Sequence, residues 1–120
     1  MLSVRGATTI SYNSEAEIKK ASLELFEEMI KQNDINVDDI TSIFFSCTRD
    51  ITKAYPGKYV REAFNLNRTA IMHFNEMHVE GSLKLCIRVL ILLDIKEKKD
   101  IKYIYLNEAK NLRKDLFDIK

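Results

Sequence analysis

The chain has little that bends or breaks: one proline and three glycines in 120 residues. That leaves no composition for a flexible linker. There is also no G-x-G-x-x-G, no Walker-type GKS or GKT and no G-x-S-x-G, which removes the usual phosphate cradles and the nucleophile elbow. Cysteine is scarce too. Cys47 and Cys86 are too few for a disulfide framework and too far apart for a CxxC pair, so both are expected to be buried, inert thiols in a reduced, cytoplasmic compartment. The longest apolar run, Val89 to Leu93, is five residues, and Met1-Leu2-Ser3-Val4-Arg5 has no apolar signal region, so no membrane partner is expected. Neither sign of charge dominates: 19 Lys+Arg face 18 Asp+Glu. With scattered lysines and no basic–aromatic platform, nucleic acid is not expected as a partner either.

What is present is an ordinary globular balance, 46% hydrophobic and 31% charged. The length suits a single domain, residues 1–120, small enough that oligomerisation would add stability. Ser3 to Thr9 reads as a first strand. Ser14-Glu15-Ala16-Glu17 is a capping box, opening a helix to about Gln32 with Ile18, Ser22, Leu25, Phe26, Met29 and Ile30 on one stripe. Asp38-Asp39 begins a further turn, and Thr41 to Thr48, rich in β-branched and aromatic residues, reads as a central strand. Pro56 starts a short helix through Val60, Arg61 and Phe64, and Thr69 to Glu76 is another strand. From Leu83 to about Asp94 the spacing of Leu83, Cys86, Ile87, Leu90 and Leu93 predicts a helix, although Val89 to Leu93 is strand-like in composition. Lys96 to Lys102 is a charged, solvated connection before a last strand, Tyr103 to Leu106. Strands interspersed with helices, without repeats, give an α/β (α+β) domain with a mixed sheet flanked by helices.

His73, Glu76, His78 and Glu80 raise the question of a metal. Strand alternation puts His73 on the face opposite the other three, so no tetrahedral set closes and no metal site is expected. Nothing places His73 beside Cys47, so covalent catalysis is not expected. The arginines say more. Arg5 lies in a short apolar strand and Arg88 in an apolar segment, where a guanidinium is costly to bury unless paired. Each either forms a salt bridge (for Arg88, with Glu76 or Asp115) or snorkels to solvent. Alternatively they converge, because guanidinium forks that meet make a dicarboxylate pocket.

Arg5-Gly6-Ala7-Thr8-Thr9, Asn75-Glu76-Met77, Gly81 with Leu83-Lys84-Leu85-Cys86-Ile87-Arg88-Val89, Tyr105-Leu106 and Leu112-Arg113 follow one another in order. Between them lies Tyr55-Pro56-Gly57-Lys58 with Val60-Arg61-Glu62. Set beside the motifs R-G-A-T-T, Q-E-M, G-L-K-K-C-I-R-V and F-P-A-K-x-V-R-E, the chain resembles the AroH class of chorismate mutases nearly end to end. The resemblance implies a homotrimeric pseudo-barrel with active sites in clefts between subunits. It implies chorismate as substrate, rearranged to prephenate on the route to phenylalanine and tyrosine, and no cofactor. It implies Arg88 and Glu76 as catalytic residues, with Arg5 and Tyr105 holding a carboxylate. Tyr55, Lys58, Arg61, Met72 and His73 would form the wall from the neighbouring subunit, and Leu112 and Arg113 the covering tail.

Some positions depart from that pattern. His73 stands where the family usually has cysteine, Met72 where it has a small polar residue, and Lys114 where the tail has proline. A histidine near Glu76 would bring a titration into the physiological range. Two other readings keep the scaffold: a non-catalytic trimer that binds small dicarboxylates, and a RidA-like deaminase, for which the sequence shows no motif.

Overall fold

The computed structural model describes residues 1–97 and 99–113. Its sheet is built from Leu2–Thr9 (β1), Ile40–Cys47 (β2), Ala70–Asn75 (β3), Cys86–Leu93 (β4) and Ile104–Tyr105 (β5), in the order β3-β2-β4-β1-β5. β4 runs antiparallel to both β1 and β2, whereas the β2–β3 and β1–β5 pairs are parallel. Two helices, Glu15–Gln32 (α1) and Pro56–Phe64 (α2), cover one face. The mixed sheet and flanking helices expected from the sequence are therefore present. Among the described residues no helix is long and apolar enough to cross a membrane.

α1 begins where the capping signal stands. Ser14 Oγ accepts the Glu17 N–H at 3.1 Å, but the Glu17 carboxylate reaches past the cap to accept from Ser11 N–H at 3.2 Å. Ile18, Leu25, Phe26 and Met29 are fully buried against the sheet. Ser22 joins that buried stripe by donating to the Ile18 carbonyl at 2.6 Å, which satisfies its hydroxyl inside an apolar layer. The helix sits directly on β1. A Cβ added to Gly6 would lie 2.6 Å from Met29 Sδ, so the glycine of the Arg5–Thr9 motif lets the Met29 side chain lie against the strand.

The segment expected to be a helix from Leu83 to Asp94 is strand β4. Ile87, Val89, Ile91 and Leu93 alternate into the core, while Arg88, Leu90 and Leu92 are only partly buried on the other face. Apolar side chains on both faces erase the strand period, and the remaining positions happen to match a helix. The decision comes from the neighbours: β1 and β2 pair with β4 along its whole length, and β-branched Ile87, Val89 and Ile91 suit that pleated position. Two smaller differences concern the connections. β3 stops at Asn75, so the strand alternation assumed for residues 76–80 does not continue. The basic connection after β4 is tied down, because Asn33 Nδ2 donates to the Lys102 carbonyl at 2.9 Å and Lys99 Nζ to the Asn33 carbonyl at 2.7 Å.

Candidate active site

Cross-strand partners share a face of a sheet, and the register draws two rows across the face that the helices leave open. One row is Arg5–Leu90–Phe44–Met72; the next is Tyr105–Ala7–Arg88–Ser46–Phe74. Where the rows meet β5 and the 3-10 stretch Asn107–Arg113, they bound a cavity of about 450 Å³ lined by Arg5, Phe44, Ser46, Arg88, Tyr105 and Leu112. The two arginines suspected of convergence do share this cavity.

Glu76 follows the end of β3, where its N–H extends the ladder by donating to the Cys47 carbonyl at 2.8 Å. Its carboxylate turns to the open face. Glu76 Oε1 accepts from Ser46 Oγ at 2.7 Å and lies 3.4 Å from Arg88 Nε. The salt bridge considered for Arg88 therefore forms with Glu76, while Asp115 lies outside the described residues. The guanidinium and carboxylate side chains are 35% and 26% exposed, enough to present both charges to a ligand. Among the described residues Arg88 Nε is a buried donor with no hydrogen-bond partner, and it faces the Glu76 carboxylate.

The covering segment is anchored by the motif threonines. Asn107 Nδ2 donates to Thr8 Oγ1 at 3.0 Å, and Glu108 N–H to Thr9 Oγ1 at 3.1 Å. Ala109 then packs with Ala7, Cys86 and Tyr105, and Leu112 lies against that cluster. The expectations for the Arg113 side chain and for Lys114 fall outside what is described. Sequence reasoning missed Ser46 and Asn107. The signal for Ser46 was its place two residues after Phe44, which means something only once the open face is known.

Tyr55, Lys58, Arg61 and His73 come together as well, but elsewhere. They line a second cavity of about 460 Å³ between α2 and β3, separate from the one holding Arg88. Met72, 54% exposed, belongs to the open face, and its neighbour His73 to the helix-covered one. Within one chain His73 and Glu76 do not meet: Glu76 turns to Ser46 and Arg88, whereas His73 Nε2 accepts the Gly57 N–H at 2.9 Å. Burial holds the imidazole below its ordinary value of 6.5.

Neither thiol is a nucleophile. Burial, with Cys86 and Glu76 adding to it, pushes Cys47 up to about 12. Burial also raises Cys86, against the opposing pull of Arg88. Among the described residues no three His, Cys, Asp or Glu side chains gather as a metal set.

An α/β domain whose open sheet face presents paired cations, one carboxylate and one phenol is built to grip a small anion. The chain belongs to the type I chorismate mutase family, whose pattern it matches over residues 1–116. It is 34% identical to the chorismate mutase AroH of Bacillus subtilis over 114 residues, 94% of this chain and 90% of that one. With the AroH protein of Thermus thermophilus it shares 33% over 115 residues, 94% and 93% of the two chains. The solved structure of a chorismate mutase from Clostridium thermocellum superposes with a TM-score of 0.86 at 42% identity, covering 92% of this chain and 99% of that one.

Proposed function

We propose that this chain catalyses the rearrangement of chorismate to prephenate, in a site completed by a second copy of itself. The observation that carries the reading is the single cavity where Arg5, Arg88 and Tyr105 converge, with Glu76 3.4 Å from Arg88. Chorismate is a dianion, and its Claisen step is intramolecular: the ether C–O bond breaks as a C–C bond forms. No proton transfer, nucleophile or cofactor takes part. The protein has to hold the folded conformer and stabilise the charge that separates as the ether bond lengthens.

Arg88 donates to the ether oxygen, where negative charge grows, and to a side-chain carboxylate. Glu76 accepts from the ring hydroxyl and offsets positive charge on the ring; Ser46 keeps that carboxylate turned to the site. Arg5 and Tyr105 hold the enolpyruvyl carboxylate, with Leu112 on the wall of the same cavity. Tyr55, Lys58 and Arg61 come from the neighbouring copy, because in one chain they line a different cavity. Met72 and Phe74, 54% and 47% exposed on the edge strand, support that contact, since apolar side chains so placed favour burial between copies. The resulting assembly is the homotrimer, working in the cytoplasm on aromatic amino-acid precursors.

The test is chorismate consumption by purified protein with prephenate identified as product, beside Arg88→Ala. A donor aimed at developing charge is worth about 3–4 kcal/mol, so kcat should fall about 10²- to 10³-fold. A variant with near-native kcat removes Arg88 from the mechanism. Tight binding of a bicyclic dicarboxylate analogue without turnover makes the protein a dicarboxylate-binding trimer instead.

A further inference from the structure

α2 has an incomplete start of its own. Its N-cap residue, Tyr55, makes no side-chain capping hydrogen bond, and Pro56 follows as the first helical residue. The first free N–H groups of a helix need acceptors, and here one comes from another element: Gly57 N–H donates to His73 Nε2, on β3, at 2.9 Å. The contact leaves no slack. A Cβ on Gly57 would stand 2.8 Å from both Cε1 and Nε2 of the imidazole and 2.9 Å from Ile71 Cγ2. The imidazole therefore takes the space that an alanine at 57 would fill. The ring is fixed as well, stacked on Phe45 at 5.2 Å and tilted against Tyr55 at 5.1 Å.

We infer that His73 caps α2 from the sheet, and that with Gly57 it is a positioning pair holding Tyr55, Lys58 and Arg61 as one fixed wall for the substrate dianion. The inference rests on the proposed chorismate mutase activity and deepens it. Nε2 accepts only while the imidazole is neutral with its proton on Nδ1; a second proton would set a donor against the Gly57 donor. The titratable groups that line the two cavities beside the ring are Tyr55 at the N-cap, Lys58, Tyr59 and Arg61 of α2, Lys53 before it, Cys47 of β2 and Glu15 of α1. Burial is what holds the ring towards its neutral form. Acid below the native imidazole value releases the cap, and the wall loosens.

The experiment is KM and kcat against pH for the native trimer and two substitutions. H73F keeps the ring and loses the acceptor. Its KM should rise about fivefold, the effect of one neutral hydrogen bond, with kcat within about twofold because wall contacts bind ground and transition states alike. H73Q places an amide oxygen near Nε2, so its KM should rise less than that of H73F while the acid rise in KM disappears. H73F with native KM and a native acid limb overturns the inference, and so does H73Q impaired as badly as H73F. G57A should be impaired and H73C in the same chain should relieve it; strictly additive losses break the pair. If the native protein fails to turn over chorismate, that activity falls, and the cap is decided by NMR. With three glycines and two histidines, the Gly57 amide and the His73 ring are assigned by substitution. A Gly57 amide shift that follows the His73 titration supports the cap, and one that ignores it refutes the cap.

Discussion

At the scale of single residues, the proposed mechanism separates groups that act on charge from groups that aim them. Ser46 belongs to the second kind. Its hydroxyl lies 2.7 Å from Glu76 Oε1, and a hydrogen bond to a charged group is worth about 1.5–3 kcal/mol, so Ser46→Ala should lower kcat about tenfold or more. Native kcat in that variant would show that Arg88 alone orients the carboxylate. Arg61 sits in the other cavity with Lys58. Its loss should raise KM and leave kcat nearly unchanged, a split that steady-state kinetics reads directly. The thiols give a third expectation. A Cys47 pushed up to about 12 carries almost no thiolate at neutral pH, so alkylation of native protein should be far slower than of unfolded chain. Both buried cysteines were legible in the sequence. Ser46 was not, because a serine between Phe45 and Cys47 is uninformative until a strand face is assigned.

At the scale of elements, β4 carries the lesson. Its central place leaves Ile91 fully buried. Ile91→Ala should cost about 2–5 kcal/mol, against about 1 kcal/mol for Ser14→Ala at the α1 cap, both measured by denaturant unfolding. Equal losses would contradict the burial seen for β4. α1 was readable because its stripe has one wet face and one dry face. β4 was not, because it is apolar on both sides; strand pairing, which acts between segments far apart in sequence, decided its conformation. The entry to β4 shows the same dependence. Leu85 takes a left-handed φ of 48°, and both Asp50 carboxylate oxygens accept its N–H, at 3.2 and 3.0 Å, a fixation supplied from 35 residues away.

At the scale of the whole molecule, one chain holds two separate cavities, which the proposed site would join across copies. Light scattering should find a trimer, and a stable active monomer would break the shared-site reading. Stability should also depend on pH through His73. Its native value lies below the ordinary 6.5, so on acidification the unfolded chain takes up a proton before the folded one does. The stability from this group is complete above about 6.5 and is lost as pH falls towards the native value; H73F should remove that dependence. The sequence by itself determined what was local or carried by an ordered set of motifs. That covers the capped first helix, the Pro56 helix and the mixed α/β class. Tertiary structure alone decided which side chains meet. Strand register set Arg5, Arg88 and Tyr105 around one cavity and turned His73 to the opposite face from Met72, because neighbouring residues on a strand point to opposite sides and only pairing fixes which side is which.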